Sequence, residues 1–531
     1  MFIMSGKACI DIAIILLTLV FMIWFGLRSS RNNSASKYFL AGRTMPGWIV
    51  GVSIFATLIS SMSFIALPAF SFKENWRYIP GSLGLVVMTI IAMIFFVPFF
   101  RKVNVPSGYE YLERRFGQWA RLYVAAGFIL YTVFRTGIIL YAVTLPVESL
   151  IPIGIPSLII ILGLCAAIYT ITGGLEAIIW TDLIQCALML IGALILLPVI
   201  ISLVPGGVGR IITEAAAEGK MSLGSFKFTF LEKTFWVMFL ASLVGGAGMF
   251  TTTQDMIQRY RAPKSTREAR KAVFVSSTMI IPVWFYFTVV GTALWVFYRV
   301  FPDPIVSAFA ESAPEKIVPY FVSTKMPVGL SGFVFSGIIM AAISTLASSV
   351  NSCATTLTYD FYQPFFSPNS DDKHSLLTGR IFSTLLGMLM IIFALLIHFL
   401  RNQTLQDLQM LMGIIAGAGA FGLFLIGFLS RKVDNFSAFV ATAITSAITI
   451  LWLVLDSSFM QGRWPILSRI VPDTFWVAVF ANAILFAIAY VVSRLFRRKT
   501  TKDLTNLTLY TLTLEGQDAK AEQFEQDVNK I

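Results

Sequence analysis

Charged residues are scarce in this chain: Asp, Glu, Lys and Arg make up 13% of its 531 residues, about half the share found in soluble domains. Histidine is scarcer still, with only His374 and His398, which argues against a metal centre or a histidine proton relay. The four cysteines, Cys9, Cys165, Cys186 and Cys353, lie within or beside apolar runs, so they offer neither a disulfide framework nor a zinc spacing. Long polar segments are few. The longest, Pro205 to Lys233 and the tail after Arg494, are too short and too poor in core residues for a catalytic or sensor module. The net charge of +12 does not point to nucleic acid, because the basic residues sit mostly in alternate loops.

In place of these the chain has apolar sequence: 57% hydrophobic residues and a mean hydropathy of +0.79 put it outside soluble composition. Runs long enough to cross a bilayer, about 20 residues each, begin near residues 8, 46, 78, 122, 155, 177, 234, 272, 328, 379, 404, 437 and 475. The sequence therefore predicts an all-α polytopic membrane protein with about thirteen transmembrane helices. Arg28, Arg31, Lys37 and Arg43 precede the second run; Arg101, Lys102, Arg114, Arg115 and Arg121 the fourth; Arg259, Arg261, Lys264, Arg267, Arg270 and Lys271 the eighth. The positive-inside rule makes these loops cytoplasmic, with the N-terminus outside and Arg494, Arg497, Arg498 and Lys499 inside. The first run ends in FGLRSSR without a small-residue cleavage site and reads as a retained helix rather than a signal peptide.

One run, roughly Val328 to Tyr359, carries hydroxyls where a lipid-facing helix would carry Leu. At ~100° per residue, Ser344, Thr345, Ser348, Ser349, Asn351, Ser352, Thr355, Thr356 and Thr358 share one half of the circumference. Ile343, Leu346, Ala347, Val350, Cys353, Ala354 and Leu357 fill the other half. A stripe of weak, uncharged oxygen ligands suits a hard cation that must be bound and then released. The ordinary alternative is that Ser and Thr bond back to their own helix or join helices together.

Two other runs read as interrupted helices. PGWIVGVSIFATLISSMSFIALPAF has Thr57, Ser60, Ser61 and Ser63 at its centre with Pro68 beyond, and FWVMFLASLVGGAGMFTTTQD has Gly245, Gly246 and Gly248 at its centre, then Thr251 to Thr253. Five spans separate their starts, as an inverted five-plus-five repeat requires. A helix broken in mid-membrane exposes carbonyls that can hold a cation and N–H groups that can hold an anion. The glycines alone would serve close helix packing equally well.

Two charges fall inside spans. Asp182, in GGLEAIIWTDLIQ, is costly there unless a cation site, a buried basic partner or interfacial water offsets it. No basic residue lies within a turn or two on its own segment. Arg135 lies mid-span in ILYTVFRTGIILYAV, too deep to snorkel comfortably. A guanidinium in a midplane cavity is a bidentate carboxylate receptor; the alternative partner, Glu148, is more than three turns away on the same span.

GVSIFATLISSMSF, YTITGGLEAIIWTDLIQ, TTTQDMIQRYRAPKSTREARKA and AAISTLASSVNSCATTLTYDFY resemble, in order, four signatures of the sodium/solute symporter family. KYFLAGRTMPGW, FFRKVNVPSGYEYLERRF and the Arg at 135 are most similar to its bacterial sialic acid transporters. The resemblance implies a LeuT-type fold, a five-plus-five inverted repeat with one extra helix before it and two after. It implies a main sodium site from carbonyls of Ala56, Ile59 and Ala341 with hydroxyls of Ser344 and Thr345. It also implies a second sodium site from Asp182, Ser344, Thr345 and Ser348, in which Ala347 stands where a Ser ligand is expected. Ser60, Ser63, Ser82 and Arg135 would bind substrate, although Leu58 replaces a polar residue and Ser82 a Gln.

These readings combine into a sodium-coupled symporter that imports an organic anion, sialic acid or a related sugar acid, by alternating access, with sodium as coupling ion, no cofactor and no covalent chemistry. It is expected in the bacterial inner membrane, surrounded by lipid and functional as a monomer. The expected divisions are residues 1–45 (extra helix and cytoplasmic loop), 46–232 (first repeat and outer loop), 233–432 (second repeat), 433–498 (two further helices) and 499–531 (cytoplasmic tail). A symporter of a neutral sugar, polyol or small monocarboxylate is the nearest alternative. An integral membrane enzyme would want acidic or histidine clusters at the surface, and a sensor would want a signalling domain after the last span.

Overall fold

The computed structural model describes residues 6–29, 34–103, 107–151, 153–229, 234–400, 412–413, 417, 419–455, 475–496 and 504–511. The expected run starting near residue 404 and the basic residues Arg31, Arg497, Arg498 and Lys499 lie wholly or partly outside them. The order is α1 (Gly6–Ser29), α2 (Ala35–Leu40), the pair α3 (Gly47–Leu58) and α4 (Ser61–Lys73), α5 (Ile79–Ile91), α6 (Val97–Val103), α7 (Glu110–Phe116) and α8 (Gln118–Glu148). Then come α9 (Ile155–Leu203), α10 (Gly207–Ala217), α11 (Phe235–Thr252), α12 (Gln254–Arg261), α13 (Thr266–Val300), α14 (Pro304–Ser312) and α15 (Ile317–Lys325). The chain continues with α16 (Leu330–Thr356), α17 (Gln363–Phe366), α18 (Asp372–Leu400), α19 (Ala420–Leu429), α20 (Asn435–Leu455) and α21 (Phe475–Phe496).

Among the described residues ten helices are long and apolar enough to span a membrane, or eleven if the bent pair α3–α4 counts as one span. Two shorter apolar helices, Ile155–Ile168 and Ala420–Leu429, lie in two more of the expected runs. Large apolar side chains such as Leu17, Leu194 and Phe399 are exposed on the outside of the bundle, as lipid-facing positions must be. The chain is thus an all-helical polytopic membrane protein.

The α3–α4 pair is bent by 57° across its break, and α13 holds both halves. A Cβ on Gly51 would meet the Ala272 carbonyl at 2.8 Å, and one on Gly291 would meet the Pro68 carbonyl at 2.1 Å, so the backbones touch on either side of the break. The Glu268 carboxylate of α13 accepts from the first N–H of α3, at Gly47, at 2.6 Å, where the helix dipole favours a negative charge. Farther out, Ser71 donates to the Thr288 carbonyl at 2.6 Å.

Helix α9 is one continuous run except at Gly174, where φ is +60°; a Cβ there would lie 2.6 Å from Cα of Tyr38. This kink turns the second half of α9, which carries Asp182, along α16. Helix α16 is buried along nearly its whole length. Its first turn is capped from α1: the buried Asp11 carboxylate accepts from the N–H groups of Gly329 and Gly332 at 2.9 and 3.0 Å and from Ser331 Oγ at 2.6 Å. The segment at 504–511 returns to the bundle, with Leu509 N–H donating to the Phe428 carbonyl at 2.9 Å.

The second expected break is displaced. Helix α11 runs unbroken through Gly245, Gly246 and Gly248, and the chain becomes extended only at Thr253, φ −95° and ψ 125°, before α12. Gly246 instead serves packing, with a Cβ there lying 3.3 Å from Leu85 and 3.4 Å from Met88 of α5. Thr251, Thr252 and Thr253 bond back to the carbonyls four residues earlier, which uses up their hydroxyl hydrogens at the helix end.

Candidate functional site

Helix α3 stops at Leu58, and Ile59 and Ser60 are extended, at φ −93°, ψ 121° and φ −123°, ψ 179°. The last carbonyls of a helix have no partner within it, and here they face α16. Thr345 Oγ1 lies 3.2 Å from the Thr57 carbonyl, 3.3 Å from that of Ile59 and 3.1 Å from that of Ala341 on its own helix. One hydroxyl has one hydrogen and can satisfy one of those carbonyls at a time. The cluster is therefore rich in acceptors and short of donors, and oxygen lone pairs so arranged are what a hard cation takes.

Of the residues expected for the main cation site, Ile59, Ala341 and Thr345 come together in this way. The bond from Thr345 goes to Thr57 rather than to its buried neighbour Ala56. Ser344 is turned away: its hydroxyl donates to Asp182 Oδ1 at 2.5 Å.

Asp182 is fully buried, and its partner is one the sequence reading did not find. Arg259, from α12 and 77 residues away, places Nη2 at 3.3 Å from Asp182 Oδ2. The same guanidinium donates from Nε to Ser53 Oγ at 3.0 Å, from Nη1 to the Asp255 carbonyl at 3.2 Å and from Nη2 to Ser348 Oγ at 2.6 Å. Ser53 completes the knot by donating to Asp182 Oδ2 at 2.5 Å. The expected second cation site thus brings Asp182, Ser344 and Ser348 together, but around an arginine. Arg259 and Arg261, expected in a cytoplasmic loop, are both buried. The available signal was QDMIQRYR, eight helical residues, every one of them buried, with charged and apolar residues interleaved.

Farther along the stripe the hydroxyls do what those of membrane helices commonly do. Ser352, Thr355 and Thr358 donate to the carbonyls of Ser349, Asn351 and Ala354 in their own helix. Two side chains also tie this end of α16 to its surroundings: Asn351 Nδ2 donates to the Tyr38 carbonyl at 3.3 Å, and Gln258 Nε2 of α12 donates to Thr355 Oγ1 at 2.6 Å. At the end of the same span Asp360 accepts from Arg121 Nε at 2.7 Å, and the Arg121 guanidinium also reaches Glu113 and the Tyr359 carbonyl. The pair joins residues 239 apart in the chain, so Arg121 reads in the sequence only as a loop charge.

Arg135 of α8 is half-buried and reaches the same Thr57 carbonyl only at 3.5 Å, a long contact that leaves most of its donors unspent. Ser63 caps the start of α4, accepting from Ser60 N–H at 3.4 Å, and Ser61 donates to the Ile139 carbonyl of α8 at 3.4 Å. Arg135 thus stands beside the end of α3, while Ser60 and Ser63 mark the start of α4, whose first N–H groups point back toward the break. Ser82, on α5, donates to the Ile79 carbonyl of its own helix at 2.7 Å.

The chain matches the sodium:solute symporter family over residues 38–445. It is 30% identical over 460 residues to the sodium/sialic acid symporter SiaT of Proteus mirabilis, covering 86% of this chain and 92% of that one. It is 29% identical over 477 residues to the sodium/sialic acid symporter NanT of Aliivibrio fischeri, covering 89% and 90%. A solved substrate-bound, outward-open sodium-coupled sialic acid symporter superposes with a TM-score of 0.82 at 28% identity, covering 92% of this chain and 98% of that one. The chain therefore belongs to the sodium:solute symporter family and is a sodium-coupled transporter, not an enzyme.

Proposed function

We propose that this member of the sodium:solute symporter family imports a sugar acid of the sialic acid type, drawing on the sodium gradient, by alternating access about the break between α3 and α4. The observation that carries the reading is the pairing of two unlike sites on one break. Carbonyls ending α3 meet Thr345, and Arg135, within 3.5 Å of one of them, supplies a cation for an anionic group beside the start of α4. Sodium in the first site holds α3 against α16 and so fixes the position of the α4 N-terminus, raising the population that binds substrate; this is coupling through a shared conformational equilibrium. The substrate carboxylate is assigned to Arg135, Ser60 and Ser63, and the relatives named above, each a sodium/sialic acid symporter, support the sugar-acid class.

In this reading there are thirteen spans: the eleven above with the two shorter apolar helices. Residues 46–232 and 233–432 form the two inverted repeats, residues 1–45 and 433–498 add the flanking helices, and the tail at 499–531 is cytoplasmic. The N-terminus lies outside, and the monomer is the transporting unit in the bacterial inner membrane. A neutral sugar or small monocarboxylate is the second reading, favoured by the Ser82 hydroxyl being spent on Ile79 and by Leu58 beside the break.

The test is sodium-dependent thermal stabilisation of the purified protein across sugar acids, neutral sugars and monocarboxylates, followed by uptake into proteoliposomes. Sialic acid or another sugar acid should add to the stabilisation by sodium. Stabilisation by neutral sugars alone would refute the anion reading.

A further inference from the structure

The pocket around Asp182 already contains a cation. We propose that the Arg259 guanidinium is the resident cation of this pocket, so that each cycle carries one sodium ion, at the Thr345 site, rather than two. This rests on the sodium-coupled reading above and extends it to stoichiometry.

Sodium needs several oxygen lone pairs converging on one point, and here they converge on nitrogen-bound hydrogens instead. Ser53 Oγ gives its hydrogen to Asp182 and accepts from Arg259 Nε; Ser348 Oγ accepts from Arg259 Nη2 and lies 3.1 Å from Thr57 Oγ1. Asp182 has Ser344 on one oxygen, and Ser53 with Arg259 on the other. Thr345 faces the carbonyls of α3 and α16, away from this group. At position 347, between Thr345 and Ser348, stands an alanine, so its methyl offers no further ligand. The carboxylate and guanidinium, each with about 1% of the side chain exposed, cancel in charge. A sodium ion added to the intact pair would be a net positive charge in a buried site, and like charges in such surroundings repel strongly.

The arginine is not free to swing away. Its Nη1 is tied to the Asp255 carbonyl one turn back on α12, and the neighbouring Gln258 bonds the Phe39 carbonyl and Thr355. Emptying the pocket for sodium would cost the arginine its bonds to Ser53, Asp182, Asp255 and Ser348.

The stoichiometry has an electrical consequence. A substrate with one negative charge carried with one sodium moves no net charge, whereas with two sodium ions each cycle moves one positive charge inward. The experiment is equilibrium binding of radiolabelled sodium to the purified full-length protein without substrate, together with sodium-to-substrate flux ratios and substrate-induced current in proteoliposomes. One ion bound per molecule, equal fluxes and no sustained current with a monovalent anion support the proposal. Two ions bound, or two sodium ions per substrate with inward current, overturn it while leaving sodium coupling intact; no sodium bound overturns the coupling reading itself.

Two variants separate the guanidinium from the missing ligand. Ala347→Ser restores an oxygen while keeping the ion pair and should still bind one ion; two ions bound by this variant would overturn the exclusion by Arg259. Ala347→Ser combined with Arg259→Gln frees Asp182 and should raise the number bound from one to two.

Discussion

Replacing Thr345 by Val keeps the shape of a buried β-branched side chain and removes one oxygen. In the sodium-free protein the carbonyls of Thr57, Ile59 and Ala341, 3.1 to 3.3 Å from that oxygen, lose their shared donor, at a cost of about 1–3 kcal/mol. Lower stability by itself is therefore uninformative, and the readout must be the sodium dependence. A contact from a neutral oxygen to a charged partner is worth about 1.5–3 kcal/mol, so sodium affinity should fall about 10- to 150-fold. At a sodium concentration 100 times the wild-type Kd the ion stabilises the protein by about 2.7 kcal/mol; after a 100-fold loss of affinity the same concentration gives about 0.4 kcal/mol. A thermal-shift titration from sodium-free to molar sodium, with choline holding ionic strength constant, reads this directly. Thr345→Ser restores the oxygen and should restore the midpoint. A Thr345→Val midpoint within about twofold of wild type, below the loss of any such contact, would show that no sodium ligand was removed and would refute the site.

Arg135→Ala should abolish binding of acidic substrates while sodium alone still stabilises the protein, and Arg135→Lys should recover only part of the affinity because an ammonium lacks the bidentate fork; isothermal titration with sialic acid checks both. Asp11→Ala removes the carboxylate that accepts from Gly329, Gly332 and Ser331. The buried α16 N-terminus then loses its cap, and unfolding should be easier by about 1–2 kcal/mol, seen as a lower melting temperature at any sodium concentration. On the loop before α11, Lys220 donates to the carbonyls of Phe72 and Glu74 at the end of α4, at 2.6 and 2.8 Å. Burial pushes its pKa down to about 8, against the opposing pull of Glu74. The unfolded chain then binds more protons than the folded one between pH 8 and the ordinary lysine value of 10.5, so stability should rise with pH across that window. Lys220→Met should flatten the rise in a melting-temperature series; a wild-type series already flat there would refute the shift.

Much of the site is written locally. The ATLISSMS stretch has hydroxyls, no helix-stopping charge and a proline beyond, and α3 does end within it. Helix α16 carries residues that a lipid-facing helix cannot carry, and it is among the most buried helices of the bundle. The second interruption was misplaced because glycine can mark a break or a close approach, and sequence cannot say which. Gly246 packs on α5, while the break falls at Thr253, where three successive back-bonded threonines end the helix.

Everything that depends on the bilayer as solvent is legible in the sequence: helices, the costly Asp182 and Arg135 inside spans, and an uncharged oxygen stripe on a helix that is buried. Those signals are readable because each residue's cost in hydrocarbon is its own. Which polar group answers which is settled by how the helices pack. Arg259 reaches Asp182 across 77 residues, Thr345 takes the carbonyl of Thr57 some 288 residues earlier, and Asp11 caps a helix 318 residues away. Each buried polar group must find a partner, but the partner need not be near in the chain, and its identity follows only from how the helices pack.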